Sequence, residues 1–245
     1  MVKNMTKEKI LNGLKWFLKS YLWLIPLIII FDYVTKIIAF DKKVNLTIIN
    51  NFFYFRLYGN TGAAWSILEE HPEILALISV VATAAMIFII VKFYRKFKKL
   101  TLISIYLMLA GTVGNMIDRC LQFVPGTRYY GFGVIDFISF KFGSYNFPVF
   151  NIADSSLVIG VILLMVVTIV DEILIYVYKK KVDELQPKYL ELINNASEDE
   201  KKEYNSLIEI ISTNIAENNL TDLKKNYKTL ENLVNSTKKD DNDGN

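Results

Sequence analysis

Phe150-Asn151-Ile152-Ala153-Asp154-Ser155-Ser156 opens a run, Leu157 to Val170, that carries no charge. With its flanks this run is long enough to cross a bilayer as a helix. A carboxylate at the mouth of such a helix is costly unless it meets water, a partner or a substrate. It also has a plain structural use, because an aspartate at a helix start accepts from free amides and suits the positive end of the dipole. Where the other polar residues of the apolar region fall decides between the two.

The 245 residues are 52% hydrophobic, too apolar for an ordinary soluble domain. The apolar residues come in four blocks, about Trp16 to Phe40, Ile74 to Val91, Leu100 to Ile117 and Ile152 to Tyr178. Basic clusters separate them at the N-terminus, at 92–99 and at 179–181, as in a multi-spanning membrane protein. Placing all three clusters in the cytoplasm gives four spans with both termini inside. The regions 41–72 and 120–149, which read as irregular, then face outward. Residues 1–180 carry 19 Lys+Arg against 11 Asp+Glu, and residues 181–245 carry 9 against 14. A basic membrane body (1–181) is thus followed by an acidic cytoplasmic tail (182–245). The basic residues sit at the ends of spans, where topology explains them better than nucleic-acid binding does. One cysteine, Cys120, excludes an internal disulfide and any multi-cysteine metal site.

The fold class expected is an all-α membrane protein with a helical tail. Leu46–Ile49 and Phe52–Phe55 have strand composition inside the first outer region, and Gly59-Asn60-Thr61-Gly62 is turn chemistry. In the tail, Ser197-Glu198-Asp199-Glu200 has the capping-box pattern. Tyr204, Leu207, Ile208, Ile211 and Ile215, then Leu220, Leu223, Tyr227, Leu230 and Val234, repeat at helical spacing. They predict a helical hairpin with a disordered end from about Lys238.

With that orientation, Asp32 and Lys36 lie in the outer part of the first span and Asn60 in the first outer loop. Asn115, Asp118 and Arg119 close the third span, Asp136 lies in the second outer loop, and Asn151 and Asp154 begin the fourth span. All fall on one side, near one depth, and converging intramembrane polar residues mark a functional site. The single histidine, His71, precedes Pro72 at a helix start, so zinc hydrolysis and a Ser-His-Asp triad are poorly supported. Carboxylate is plentiful. Two aspartates held close cannot both ionise, so one keeps a proton while the other activates water. The residues permit an aspartyl hydrolase at the outer surface that needs no metal or cofactor.

At the level of motifs the chain resembles bacterial lipoprotein signal peptidase (signal peptidase II). The matching stretches are Asp32-Tyr33-Val34-Thr35-Lys36, Asn60-Thr61-Gly62-Ala63-Ala64, Gly111-Thr112-Val113-Gly114-Asn115-Met116-Ile117-Asp118-Arg119, Val134-Ile135-Asp136-Phe137 and Phe150-Asn151-Ile152-Ala153-Asp154. They cover about residues 15–180. The resemblance implies a membrane aspartyl protease that removes signal peptides just before a diacylglyceryl-modified cysteine. It further implies Asp136 and Asp154 as the catalytic dyad, with Asp32, Lys36, Asn60, Gly111, Asn115, Arg119 and Asn151 as supporting or substrate-binding residues. The loop at 41–65 would be a small extracytoplasmic β-cradle. Asp118 beside Arg119 reads as a local ion pair or helix-end device, and is the runner-up to Asp136. The segment between Arg119 and Asp136 is longer than the family carries, Trp65 stands where the family commonly has Phe, and the acidic tail is an addition. Two other readings compete: a transporter using these charges as a pathway, and an adaptor whose tail is the working part.

Overall fold

The computed structural model describes residues 2–62 and 70–240. Ala63, Ala64 and Trp65 lie outside the described residues. The chain divides into two compact units at Leu164/Met165. The first contains α1 (Val2–Lys19), α2 (Leu24–Asp41), β1 (Asn45–Ile49), β2 (Phe53–Asn60), α3 (Pro72–Phe93), α4 (Lys99–Leu121), β3 (Val134–Phe142), β4 (Tyr145–Asn146) and the start of α5 (Ile152–Asn195). The second holds the rest of α5 with α6 (Glu198–Ala216) and α7 (Leu220–Asp240).

Among the described residues α3, α4 and α5 are long and apolar enough to cross a membrane, and a fourth span results if α2 is counted together with Leu11–Lys19. The segment expected as one helix from Trp16 to Phe40 is in fact broken, its two parts meeting at 75°. Pro26 explains the break. It has no amide to give the Leu22 carbonyl, so a helix arriving from Trp16 cannot run through it, whereas in the first turn of a new helix it costs nothing. Tyr21 takes a left-handed φ of 61°, and the Ser20 hydroxyl donates to the Phe17 carbonyl at 2.7 Å, closing α1. Pro72 opens α3 as its first residue.

Within the most apolar 18-residue window, 39% of α4 is buried but only 11% of α3, so α4 is the inner helix of this unit. Leu77, Val81, Phe88 and Val91 of α3 are each more than half exposed, a face suited to hydrocarbon rather than water. The two outward regions build one antiparallel sheet in the order β1-β2-β3-β4. The region 120–149 is therefore less irregular than its sequence reads, because β3 completes the sheet begun by β1 and β2. Its face is aromatic: Phe53 stacks on Phe140 at 4.8 Å, and Phe52 packs on Phe142.

In the second unit α6 and α7 follow α5, and the capping box of Ser197 and Glu200 opens α6. Ile175 and Tyr189 of α5 join Ile211, Leu220, Leu223, Leu230 and Val234 in one apolar core, so three helices share it. α5 runs unbroken through Lys181 to Asn195, and α7 runs to Asp240. The remainder of the end expected to be disordered lies outside the described residues.

Candidate active site

The first turn of α5 is capped from within and from α2. Asn151 Oδ1 accepts from the Asp154 amide at 2.9 Å, and Asp154 Oδ2 accepts from the Asn151 amide at 3.1 Å. This reciprocal pair is a capping box with Asn and Asp in the places of Ser/Thr and Glu/Gln. The Ala153 amide donates to Asp32 Oδ1 of α2 at 2.8 Å. Asp154 therefore does cap its helix, yet its other oxygen accepts from Asn115 Nδ2 at 2.7 Å. The structural and chemical readings of this residue are compatible.

Asp136 reaches the same place through strand register. The amides of Phe137 and Ile138 donate to the Phe150 carbonyl at 3.1 and 2.8 Å, and the Phe150 amide returns a bond to Ile138 at 3.0 Å. β3 is thus fastened to the residue that precedes Asn151. On its other edge Tyr58 pairs with Asp136 and Asn60 with Val134, which brings Asn60 diagonally across the pair. Asn60 Nδ2 donates to Asp136 Oδ2 at 2.9 Å, and Asn151 Nδ2 to Asp136 Oδ1 at 2.7 Å. Asn151, fully buried, thus grips both carboxylates, one by its side-chain amide and the other by its backbone. Burial and the neighbouring Asp154 carboxylate push Asp136 well above the ordinary carboxylate range, against the pull of the Asn60 and Asn151 bonds.

Behind the pair lies a buried charge cluster. Lys36 Nζ contacts Asp32 Oδ2 at 2.7 Å, Asp118 Oδ2 at 2.8 Å and Asn115 Oδ1 at 3.0 Å, which uses all three of its protons. Asn115 Oδ1 also accepts from Asn151 at 3.0 Å, so its amide has one orientation, with the NH2 aimed at Asp154. Asp118 corrects the expectation drawn from its neighbour. Its partner is Lys36 from α2, and Arg119 instead donates to the Gly62 carbonyl at 3.1 Å. Asp118 Oδ2 further accepts from the Ile135 amide at 3.4 Å, so this aspartate braces the strand that carries Asp136. Gly111 touches neither carboxylate. A Cβ there would collide with the Ala153 carbonyl and stand 2.9 Å from the Leu157 amide, so glycine is what lets α4 approach α5.

The nine residues singled out in the sequence therefore fall into two layers. Asn60, Asn115 and Asn151 touch Asp136 or Asp154 directly, while Asp32 and Lys36 act from behind, Gly111 through backbone approach and Arg119 through the Gly62 carbonyl. Asp118, placed by the sequence among the converging polar residues, belongs with the second layer. Among the described residues no three His, Cys, Asp or Glu side chains form a metal-holding group. Two carboxylates gripped by one asparagine are an arrangement in which one can keep a proton while the other polarises water against a carbonyl.

A family model described as signal peptidase (SPase) II matches residues 24–170. A lipoprotein signal peptidase of Listeria monocytogenes is 40% identical over 156 residues, 62% of this chain and 95% of the relative. One of Geobacillus kaustophilus is 35% identical over 150 residues, 60% of this chain and 91% of the relative. Two solved structures are similar, both of a bacterial membrane enzyme studied by the in meso method. The 2.3 Å structure has a TM-score of 0.52 and 31% identity over 63% of this chain and 90% of its own. The 1.9 Å structure has a TM-score of 0.51 and 33% identity over 62% and 94%.

Proposed function

The chain belongs to the signal peptidase II family, and from that premise we propose that Asp136 and Asp154 are the dyad with which it cleaves. It is a lipoprotein signal peptidase, a protease of lipoprotein processing. Its substrates are prolipoproteins whose cysteine carries diacylglycerol, cut on the N-terminal side of that cysteine. Four helices, α2 to α5, cross the cell membrane with both termini in the cytoplasm. The sheet is a cradle for the substrate backbone at the outer surface.

The observation that carries the dyad is the double grip of Asn151 on Asp136 and Asp154. Asp136, buried and pushed toward its protonated form, gives its hydrogen bond to the scissile carbonyl oxygen. Asp154, the more open of the two, takes a proton from water, whose oxygen attacks the carbonyl carbon. When the tetrahedral intermediate collapses, the C–N bond breaks and the departing nitrogen takes a proton from the pair. Arg119, Asn60 and Asn115 hold the loop, the strand and the helix that frame this event.

The test is a gel-shift assay of purified protein with lipid-modified and unmodified prolipoprotein, beside Asp136→Asn and Asp154→Asn. Cleavage by wild type alone, and of the modified form alone, is expected. A variant that cleaves at the wild-type rate while inserting normally removes its residue from the dyad. Wild type that cleaves nothing would bring back the transporter and adaptor readings.

A further inference from the structure

Among the described residues α1 supplies nothing to the dyad or to the cluster behind it, and the membrane can be crossed without it. The 18 residues of α2 rise about 27 Å at helical pitch, close to the roughly 30 Å of a hydrocarbon core. The chain turns by 75° before α2, so if α2 follows the membrane normal, α1 lies near the membrane plane. The turn is fixed by the left-handed Tyr21 and by the Trp23 indole, which donates to the Leu18 carbonyl at 3.2 Å.

The sequence of α1 is written for that plane. Leu11, Leu14, Phe17 and Leu18 follow the i, i+3, i+6, i+7 spacing of one helical face. Lys9, Asn12 and Lys19 fall on the other, with Lys15 at the border between the two. Leu11, Leu14 and Leu18 are 49, 52 and 55% exposed. An apolar face left open in water would be a liability. α1 carries five lysines against one glutamate, and the cytoplasmic leaflet is negatively charged. We propose that α1 is an interfacial helix bound to the cytoplasmic leaflet, its leucine face sunk among the upper acyl carbons and its lysines against anionic headgroups. The side of the membrane rests on the orientation proposed above. The plane and depth rest on the bend and the two faces.

The single native cysteine makes the test direct. In a Cys120→Ser background, Leu11→Cys, Asn12→Cys, Leu14→Cys and Leu18→Cys are spin-labelled one at a time in the full chain. Each is reconstituted in vesicles containing phosphatidylglycerol and in vesicles of phosphatidylcholine alone. Labels at 11, 14 and 18 are expected at one depth in the oxygen-rich acyl region, with the label at 12 in water. Without phosphatidylglycerol, exposure of position 14 to a water-soluble relaxing agent is expected to rise several-fold. Depths at 11 and 18 that differ by about 10 Å, the rise of seven helical residues, would overturn the proposal, because α1 would then follow the membrane normal. Equal water exposure at 12 and 14 would overturn it as well, and identical behaviour in both vesicles would remove the anionic headgroup as partner. Labelling of position 12 in intact cells by a membrane-impermeant thiol reagent would overturn the cytoplasmic assignment alone, and with it the orientation given to the peptidase.

Discussion

Asn151 is the residue on which the proposed chemistry turns, because one side chain caps α5, orients Asn115 and holds Asp136. Asn151→Asp would set a third carboxylate against Asp136, and like charges at that range cannot all ionise. Cleavage should fall by at least about 100-fold, the scale of a lost preorganised donor, while the helix cap survives because Asp caps as well as Asn. An Asn151→Asp enzyme that cleaves normally would contradict the grip assigned to this residue. Asn60 offers a separate test through pH. The raised titration of Asp136 means that cleavage, if Asp136 is the acid, falls as pH rises through that value and its proton is lost. At the acid end it falls as the second carboxylate protonates, giving a bell. Because ionisation costs the folded state, stability should also decline as pH rises through the same value. The Asn60 bond favours the ionised form, so Asn60→Leu should move the alkaline limb upward, by about one pH unit for one lost charge-assisted bond. A downward shift would mean that Asp136 is not the acid.

Helices and strands hold these residues in place, and it is between elements that the sequence was hardest to read. The polar residues themselves were legible, since Asp32, Lys36, Asn115 and Asp154 stand out in apolar surroundings. Their pairing was not. Asp118 has Arg119 beside it in the chain, yet its charge is met by Lys36 from α2, because successive residues on a helix point about 100° apart. The hub role of Asn151 depends on the bridge between Ile138 and Phe150, a register that no local pattern announces. The break before α2 has its cause in Pro26, inside an apolar run from Leu22 to Phe31 that reads as part of one span. Lys36 is the test at this scale, for its ammonium joins Asp32 of α2 to Asp118 of α4 in a buried triad. Removing the cation leaves two buried carboxylates facing each other, so Lys36→Met should cost about 3–5 kcal/mol of stability, read as a fall in melting temperature in detergent. The double variant Lys36→Met with Asp118→Asn should recover part of that loss. No recovery would mean that the lysine matters through packing rather than charge.

The whole molecule is two units, and the proposed chemistry is confined to one. Each residue assigned to the dyad, and each side chain that grips it, precedes Leu164. The family match ends at residue 170, and the Listeria relative is matched over 95% of its own length within 62% of this chain. The tail was legible as helices from its caps and spacing. That α5 would lend it Ile175 and Tyr189 was not, because lysines 179–181 read as the end of a span. A unit with its own apolar core can unfold without its neighbour. Leu223 is fully buried in that core, and Leu223→Asp places an unpaired charge there, at a cost of several kcal/mol. Limited proteolysis should then remove residues beyond about the end of α5, while cleavage of lipid-modified substrate stays within about twofold of wild type, as independence of the two units requires. Truncation after Lys181 should give the same rate. A tenfold loss in both variants, with the membrane unit still inserted, would mean that the tail acts on the dyad and is no mere appendage to it.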